Sequence, residues 1–127
     1  MIIRTLDEIS GTGRDVNGDG WRSRRILLRE DGMAHSLHWT NIAAGSELML
    51  WYKNHLEANL VISGEGEVVD IATGDVHPLA PGSLYALDKN DRHLVRAHTD
   101  MALVCVFTPP LSGRETHDTD GSYRPSE

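Results

Sequence analysis

The stretch at residues 57–71 reads Glu57-Ala-Asn-Leu-Val-Ile-Ser63-Gly64-Glu-Gly66-Glu67-Val-Val-Asp-Ile71. Two short apolar runs, rich in β-branched residues, lie on either side of a Gly-Glu-Gly sequence. Runs of this kind are typical of β-strands, and a glycine-containing turn between them is typical of a hairpin. The stretch therefore predicts strands at 57–63 and 67–71, joined by a hairpin turn at 64–66.

The same pattern of short apolar runs between Gly and Pro extends in both directions. It predicts further strands at 24–30, 35–42, 47–52, 76–79, 83–87, 93–97 and 101–107, with a second hairpin turn at 73–75. Many short strands with such turns favour an all-β antiparallel sandwich or barrel. The capping-box spacing of residues 5–8 predicts a short N-terminal helix. Residues 109–127 are polar and rich in Gly and Pro, and we expect a flexible C-terminal tail there.

Length and composition limit the class of protein. The 127 residues fit one domain, 1–127, and the 39% apolar and 24% charged residues argue against global disorder. The 12 basic and 19 acidic residues give a formal charge of −7 without a basic run, so no nucleic acid partner is expected. No apolar run is long enough to cross a bilayer and the first residues lack a signal-peptide core, so no membrane partner is expected. The single cysteine, Cys105, excludes an intrachain disulfide and suits a cytoplasmic location.

Strand 101–107 carries apolar side chains on both of its faces. One face has Met101, Leu103, Cys105 and Phe107, and the other has Ala102, Val104 and Val106. A strand with one face in water should alternate between apolar and polar residues. Both faces are therefore expected to be covered, and a second copy of the chain would cover the outer one, which predicts a homodimer.

The seven histidines do not form a recognisable zinc motif. No close pair shares a strand face and no CxxC sequence is present, which excludes the zinc-finger and thiol-redox classes. Residues 15–20 match the opening of an EF-hand loop, but Ile26 stands where the closing Glu is required. A polar turn ahead of a strand is expected at 15–20.

Two segments, 45–64 and 82–93, resemble the two motifs of the cupin superfamily. The residues in register with these motifs are Gly45, Glu57, Gly64, Gly82 and His93. Trp51 and Lys53 stand where the first motif usually has two metal-binding histidines. The resemblance implies a single-domain cupin β-barrel of the antiparallel jelly-roll type with an altered metal site.

Five blocks resemble one cupin family more closely. They are residues 51–58, 63–67, 84–89, 104–111 and 113–118. They are similar to the ectoine synthase family, small cupins that close the ring of the osmolyte ectoine. The resemblance runs to about Tyr123 and implies an Fe²⁺ ion held by Glu57, Tyr85 and His93. A carboxylate, a phenolate and an imidazole suit Fe²⁺, and zinc is also compatible with this donor set.

The resemblance also implies a substrate and a reaction. The substrate is N-γ-acetyl-L-2,4-diaminobutyrate, whose 2-amino group attacks its own acetamide carbonyl carbon. Loss of water from the resulting carbinolamine gives a six-membered cyclic amidine. An amide is a weak electrophile, so a Lewis-acid metal on its oxygen would help. The amine must lose a proton and the departing hydroxyl must gain one, which requires a base and an acid.

The expected substrate contacts follow from the resemblance combined with strand parity. Three groups share a strand face: Trp21, Ser23 and Arg25; Ser36, His38 and Thr40; Cys105 and Phe107. Arg25 is expected to bind the substrate carboxylate through its planar fork. Trp21 and Phe107 would pack against the carbon chain. The other expected substrate contacts are Ser23, His38, Thr40 and Cys105.

Three residues are candidates for proton transfer. They are Tyr52, Glu115 and His117, of which Glu115 is the first choice for the base. Residues 109–127 would act as a lid that is disordered without ligand and ordered with it. The chain departs from the family pattern at His38, Asn59, Leu60 and Thr108, and these departures concern the substrate contacts rather than the metal triad.

Two other functions remain open from the sequence. One is a cupin domain that binds or senses a small solute without catalysis. The other is a different iron-dependent cupin enzyme, such as an isomerase or dioxygenase, because oxygenases also use open iron sites. The block at 113–118 favours the cyclase, since a bare cupin scaffold has no use for it.

Overall fold

The computed structural model describes residues 1–113, 115–123 and 125. The elements in this part of the chain are α1 (Leu6–Ile9), β1 (Asp15–Gly18), β2 (Trp21–Leu27), a 3-10 turn (Arg29–Asp31), β3 (Ser36–Ile42), β4 (Glu47–Leu50), β5 (Leu56–Ser63), β6 (Gly66–Asp70), β7 (Val76–Leu79), β8 (Leu84–Leu87), β9 (His93–Ala97) and β10 (Met101–Thr108). Within these residues, no helix is long and apolar enough to span a membrane.

The strands form two antiparallel sheets. Six strands pair in the order β1-β2-β3-β10-β5-β8, and four pair in the order β4-β9-β6-β7. Apolar side chains from both sheets meet in one core, which includes Leu50, Val68, Val95, Leu103 and Phe107. Sheets that pack face to face bury the inward half of each alternating strand. The all-β architecture predicted from the sequence is therefore confirmed.

The predicted strand parity is observed in β2, β3 and β10. Ser23, Arg25 and His38 are each at most 3% exposed, and so are Cys105 and Phe107. Register pairs Cys105 with His38 across β10 and β3. The inward faces of these three strands therefore form a continuous wall.

The predicted hairpin at 64–66 is wrong, because the two flanking strands belong to different sheets. β5 pairs with β10 and β8, whereas β6 pairs with β9 and β7. The segment thus carries the chain from one sheet to the other. Gly64 has φ of +85°, and a Cβ there would lie 2.1 Å from the carbonyl oxygen of Asp100. Glycine is required for this close crossing. The other predicted hairpin, at 73–75, is confirmed by the pairing of β6 with β7.

The N-terminal segment differs from the sequence prediction in two respects. Residues 15–18 form edge strand β1 rather than only a turn, and β2 begins at Trp21 rather than at residue 24. An ion pair between Arg22 and Asp15, at 2.7 Å, ties the polar edge strand to β2. The short helix is confirmed, with the Thr5 hydroxyl accepting a hydrogen bond from the Glu8 amide at 3.3 Å.

The C-terminal tail folds back onto the barrel. Leu111, Ser122 and Tyr123 are at most 3% exposed. The amide of Lys53 donates to the Ser122 hydroxyl at 3.0 Å, and the side-chain amide of Asn54 donates to the carbonyl of Tyr123 at 2.9 Å. These contacts hold the described part of the tail across one end of the barrel.

Candidate functional site

A cavity lies between the two sheets beneath the tail, and its free volume is about 40 Å³. Most of the site residues predicted from the sequence line it. Those in the lining are Trp21, Ser23, His38, Thr40, Tyr52, Glu57, Tyr85, Cys105, Phe107 and His117. The other three, Arg25, His93 and Glu115, lie nearby and are described below. The sequence therefore located the cavity, although it did not define the contacts inside it.

Glu57 presents a buried carboxyl group to the cavity from β5. Its side chain is on the inward face, and the residue is 7% exposed. Burial raises the pKa of this carboxyl to about 8, and a hydrogen bond from Asn59 opposes the rise. A nearby cation would strongly stabilise the ionised form of a carboxyl in such surroundings, because the cation compensates for the lost hydration.

Tyr85 lies beside Glu57 on the neighbouring strand. β5 and β8 pair so that Asn59 is opposite Tyr85 and Glu57 is opposite Leu87. Burial, followed by the charge of Glu57, raises the pKa of the Tyr85 phenol well above its ordinary value. The ring centroid of Tyr85 is 6.2 Å from that of His93. Tyr85 of β8 thus lies next to both Glu57 of β5 and His93 of β9.

His93 has one ring nitrogen fixed and the other without a partner. Nδ1 lies 3.0 Å from the backbone carbonyl of Asp91, which only accepts hydrogen bonds, so Nδ1 carries the proton. Burial lowers the pKa of the imidazole and keeps it neutral. Nε2 is buried and has no hydrogen-bond partner among the described residues. A neutral imidazole held through Nδ1 with a bare Nε2 is the usual arrangement of a metal-binding histidine.

The donor set of Glu57, Tyr85 and His93 therefore fits a divalent metal ion. Within residues 1–113, 115–123 and 125, no three His, Cys, Asp or Glu side chains form a metal-binding group on their own. A metal in this cavity would thus depend on the phenol of Tyr85 as a ligand. Carboxylate, phenolate and imidazole donors suit Fe²⁺ and zinc.

His38 forms a buried hydrogen-bonded row with two serines. Its Nδ1 lies 3.1 Å from the hydroxyl of Ser23, and its Nε2 lies 3.0 Å from the hydroxyl of Ser36. The Ser36 hydroxyl also accepts a hydrogen bond from the amide of Leu111 at 3.1 Å. Burial, and secondarily the charge of Arg25, lowers the pKa of His38 to about 3. His38 is therefore a neutral polar wall residue that connects the cavity to the start of the tail.

Arg25 does not line the cavity, contrary to the sequence prediction. Its guanidinium is fully buried and donates to the backbone carbonyls of Gly113 at 3.0 Å and Glu115 at 2.8 Å. The ring of Tyr123 lies 5.7 Å from its guanidinium carbon. In this conformation Arg25 fastens the tail to β2, because the planar fork of Arg can hold two acceptors at once.

Glu115, the first choice for the base, also lies outside the cavity lining. Its carboxylate accepts hydrogen bonds from the amide and hydroxyl of Ser112, both at 2.8 Å, and from the amide of Gly113 at 2.9 Å. These hydrogen bonds direct the carboxylate to a turn in its own segment. The sequence could not reveal this, because the turn depends on local backbone geometry rather than on periodicity.

Tyr52 and His117 are the proton-transfer candidates that the structure brings together. The Tyr52 hydroxyl lies 2.9 Å from Nε2 of His117. Burial, and secondarily the charge of Arg25, lowers the pKa of His117 to about 4, whereas burial raises the pKa of Tyr52 well above its ordinary value. At neutral pH the pair is therefore an uncharged imidazole and an uncharged phenol, so one of its members can accept a proton and the other can donate one.

Aromatic rings and a thiol complete the wall. Phe107 packs edge-on against Tyr52 with ring centroids 5.1 Å apart, and Trp21 lies 5.0 Å from His117. The thiol of Cys105 lies 3.4 Å from the hydroxyl of Thr40. Burial raises the pKa of this thiol well above its ordinary value, so it remains protonated and unreactive.

Tyr123 is the main lining residue that the sequence prediction missed. Its ring stacks on His117 at 4.6 Å and on Tyr52 at 5.0 Å, and the residue is 3% exposed. It lies in a polar tail without apolar periodicity, so its only signal was an isolated aromatic residue. Asn59 is a second lining residue without a predicted role; its side-chain nitrogen is buried next to the carboxyl of Glu57.

Comparison with known proteins identifies the family. A profile of the ectoine synthase family matches residues 1–127. The L-ectoine synthase of Desulfosudis oleivorans is 58% identical over 124 residues, which cover 97% of this chain and 96% of that protein. The L-ectoine synthase of Sphingopyxis alaskensis is 55% identical over 123 residues, which cover 97% and 90% of the two chains.

Solved structures agree with this relationship. The crystal structure of ectoine synthase from P. lautus matches with a TM-score of 0.88 and 49% identity, over 95% of this chain and 87% of that chain. A cupin 2 conserved barrel domain protein from Salinispora arenicola shares the fold with a TM-score of 0.67 and 20% identity, over 85% and 88% of the chains. The fold is thus the predicted cupin barrel, and the chain belongs to the ectoine synthase family.

Proposed function

We propose that this chain is an L-ectoine synthase that converts N-γ-acetyl-L-2,4-diaminobutyrate into ectoine and one molecule of water. A bond forms between the 2-amino nitrogen and the acetamide carbon, and the bond from that carbon to oxygen breaks. The observation that carries the proposal is the family match over 1–127, together with the cavity that the matching residues line. The reaction makes this chain a lyase.

The proposed cofactor is Fe²⁺, held by Glu57, Tyr85 and His93. The bare Nε2 of His93 and the carboxyl of Glu57, whose pKa burial raises, support a cation at this point. When bound, the ion would supply Lewis acidity to the acetamide carbonyl. Glu57 and Tyr85 would contribute negative charge as ligands, so metal binding should release protons and weaken at low pH.

His117 is the proposed base and Tyr52 the proposed acid. His117 is neutral, lines the cavity and contacts the Tyr52 hydroxyl at 2.9 Å. A neutral imidazole can take a proton from the attacking amine, and the phenol can give one to the departing hydroxyl. Glu115 is assigned instead to holding the turn at Ser112 and Gly113, because its carboxylate is directed to that turn.

Substrate binding is proposed to require the tail to open. The free volume of about 40 Å³ is much smaller than the roughly 150 Å³ of a cavity that holds benzene, and the substrate is larger than benzene. His117 and Tyr123 fill the space from the tail side. When the tail opens, Arg25 loses its two carbonyl partners. Its guanidinium group then becomes available to donate two hydrogen bonds to the substrate carboxylate.

The outer face of the six-stranded sheet is proposed to form a homodimer. Leu56, Leu60, Ile62 and Leu84 on β5 and β8 are each at least 40% exposed. Next to them, Val104 of β10 pairs with Leu60 on one side and with Trp39 of β3 on the other. A contiguous apolar face of this kind is unusual on a monomer. A second copy of the chain would cover it and would account for the apolar outer side of β10.

The proposed location is the cytoplasm, where a buried free thiol such as that of Cys105 is stable. There the product would serve as a compatible solute during osmotic stress. We further propose that its substrate is a small molecule, since the net charge of −7 does not favour binding to nucleic acid or to an anionic membrane.

One experiment separates the enzyme from a solute-binding cupin and from another iron-dependent cupin enzyme. Protein loaded with Fe²⁺ under anaerobic conditions is mixed with the acetylated diaminobutyrate in air-saturated buffer, the products are followed by mass spectrometry, and dissolved oxygen is followed with an electrode. We expect loss of one water and formation of the cyclic amidine without consumption of oxygen. Binding without any mass change would support the solute-binding function, and an oxygenated product would support a dioxygenase.

A further inference from the structure

A second cleft, of about 520 Å³, opens at the seam between the two sheets. β8 is the edge of the six-stranded sheet and β7 is the edge of the four-stranded sheet, and these two edges are not hydrogen-bonded to each other. The residues lining the cleft come from β6, β7, β8, β9 and the segment that joins β8 to β9. The cleft does not involve the described part of the tail, so it remains open while the tail covers the other cavity.

Three carboxylates line this cleft at different depths. Asp88 is exposed, whereas Asp70 and Asp91 are partly buried. None of the three has an ion-pair partner within 4 Å among the described residues. The lining described here contains no Lys or Arg side chain. Uncompensated negative charge in a narrow cleft with apolar walls concentrates cations there.

The inner end of the cleft reaches the proposed metal ligands. His93 and Tyr85 both belong to its lining, and Tyr85 also lines the cavity beneath the tail. Asp70 pairs directly with His93 across β6 and β9, so both side chains lie on the inward face of the sheet. His93 is 1% exposed, and its Nε2 has no partner among the described residues. This unpartnered nitrogen is the observation, independent of the acids, that points to a cation at the end of the cleft.

We infer that this cleft, defined by Asp70, Asp88 and Asp91, is the access route by which a divalent cation reaches His93, Tyr85 and Glu57. The exposed Asp88 attracts the hydrated ion, and Asp91 and Asp70 carry it inward as it loses water. The ion then reaches the ligands while the substrate side stays covered by the tail. The inference rests on the proposed metal centre, and it assigns to these three acids a role in uptake rather than in final coordination.

The test measures uptake of Co²⁺ by the metal-free full chain. Stopped-flow absorbance gives the rate, and elemental analysis gives the final metal content. The triple variant Asp70→Asn/Asp88→Asn/Asp91→Asn keeps the side-chain shapes and removes three charges. The control Asp7→Asn/Glu8→Gln/Asp19→Asn removes three exposed charges from α1 and from the turn between β1 and β2, and β1 is at the opposite edge of the sheet from β8.

We expect both variants to bind one Co²⁺ per chain, as the unaltered protein does. The cleft variant should load about tenfold more slowly at low salt, the size of effect that focused charge produces on association rates. The control should load within about twofold of the unaltered protein. Salt should slow loading of the unaltered protein and of the control, and should change that of the cleft variant little.

Several outcomes would overturn the inference. They are an unchanged loading rate in the cleft variant, an equal slowing in the control, and a lowered final metal content in the cleft variant, which would make the acids ligands. Failure of the unaltered protein to bind stoichiometric Co²⁺ would instead contradict the proposed metal centre, and the route with it. If the triple variant does not fold, His77→Lys places a cation at the exposed wall of the cleft and should also slow loading.

Discussion

The hydroxyl of Tyr52 lies 2.9 Å from Nε2 of His117, although the two residues are 65 positions apart in the chain. Tyr52 follows β4 in the barrel, whereas His117 belongs to the tail that closes over it. The contact therefore exists only while the tail is docked. Chemistry that uses both groups therefore requires the tail to dock again over the bound substrate, which also keeps water from the reacting atoms.

Replacing the tail histidine should impair turnover. His117→Asn removes the proposed base and should lower kcat by about 10²- to 10⁴-fold, the usual contribution of general acid–base catalysis. His98→Asn is the matched control, because His98 is exposed and its contact is the surface residue Glu67. Steady-state kinetics with both variants checks the prediction. A normal kcat in His117→Asn would return the role of base to Glu115 or another group.

Replacing His93, one of the three proposed metal ligands, should remove the metal. His93→Ala deletes the bare Nε2, so we expect the iron content to fall by at least about tenfold, since loss of one of three protein ligands removes much of the binding energy. His77→Ala, an exposed residue on β7, should keep full iron at equilibrium. Elemental analysis after anaerobic loading gives the answer. Full iron in His93→Ala would show that the triad is assigned incorrectly.

Weakening the hydrogen bonds that hold the tail on the barrel should make the tail more accessible to a protease. Arg25→Lys replaces the fork that holds the carbonyls of Gly113 and Glu115 with a single ammonium group. Loss of one buried hydrogen bond costs about 1–2 kcal/mol, which corresponds to roughly tenfold more opening. Cleavage after Glu115 by a Glu-specific protease, followed by mass spectrometry, measures the opening.

The control for this measurement is Arg22→Lys, since Arg22 is also on β2 but pairs with Asp15 of β1 rather than with the tail. Cleavage in the control should match that of the unaltered protein. Equal cleavage rates in all three proteins would mean that Arg25 does not hold the tail.

His38 should make stability depend on pH in a predictable direction. The unfolded imidazole binds a proton near its ordinary pKa of 6.5, whereas burial lowers the folded pKa to about 3. Between these values the unfolded state binds more protons, so the free energy of unfolding falls as the pH is lowered from 6.5 toward 3. From pH 7 to pH 5 the loss from His38 is about 2 kcal/mol.

Urea unfolding at pH 7, 6 and 5 tests this prediction. His38→Gln should show a smaller fall in the free energy of unfolding than the unaltered protein. His98→Gln, at an exposed position, should show the same fall as the unaltered protein. Parallel pH curves for the unaltered protein and His38→Gln would contradict the neutral buried assignment.

The proposed dimer can be tested with two separate variants, each of which introduces one charge on a different sheet. Leu60→Asp places a carboxylate on the outer face of β5 and should give a monomer by light scattering, because burying it unpaired would cost several kcal/mol. Val76→Asp alters a residue that is also exposed, on β7 of the other sheet, and should leave the dimer intact. A monomeric unaltered protein at micromolar concentration would exclude the proposal.

Strand alternation was the part of this fold that the sequence could predict. Ser23, His38 and Cys105 were predicted as substrate contacts on three separate strand faces, and the structure places all three in the lining of one cavity. The partner of each strand could not be predicted in the same way. The crossing at Gly64 looks like a hairpin in sequence, and the pairing of β5 with β10 and of β6 with β9, which are distant in the chain, is what places the two strands in different sheets.

The tail shows why the site was predicted only in part. The position of Glu115 depends on hydrogen bonds from Arg25, which is 90 residues earlier in the chain, and on a turn that its own carboxylate closes. Tyr123 reaches the cavity because its own carbonyl, and its neighbours Gly121 and Ser122, accept hydrogen bonds from residues 51–54. Neither relationship leaves a periodic signal, because polar loop contacts depend on backbone geometry.

β10 is the last strand in the part of the chain that the structure describes, yet it lies in the centre of the six-stranded sheet, between β3 and β5. During synthesis, β3 and β5 therefore emerge from the ribosome with their facing edges unpaired, and Cys105 and Phe107 are still missing from the wall. Pairing across such long sequence separations is slow, and the exposed edges are prone to aggregation until it occurs. Neither the sheet nor the cavity can assemble on a nascent chain that lacks residues 101–108, so this barrel must fold after these residues have been synthesised.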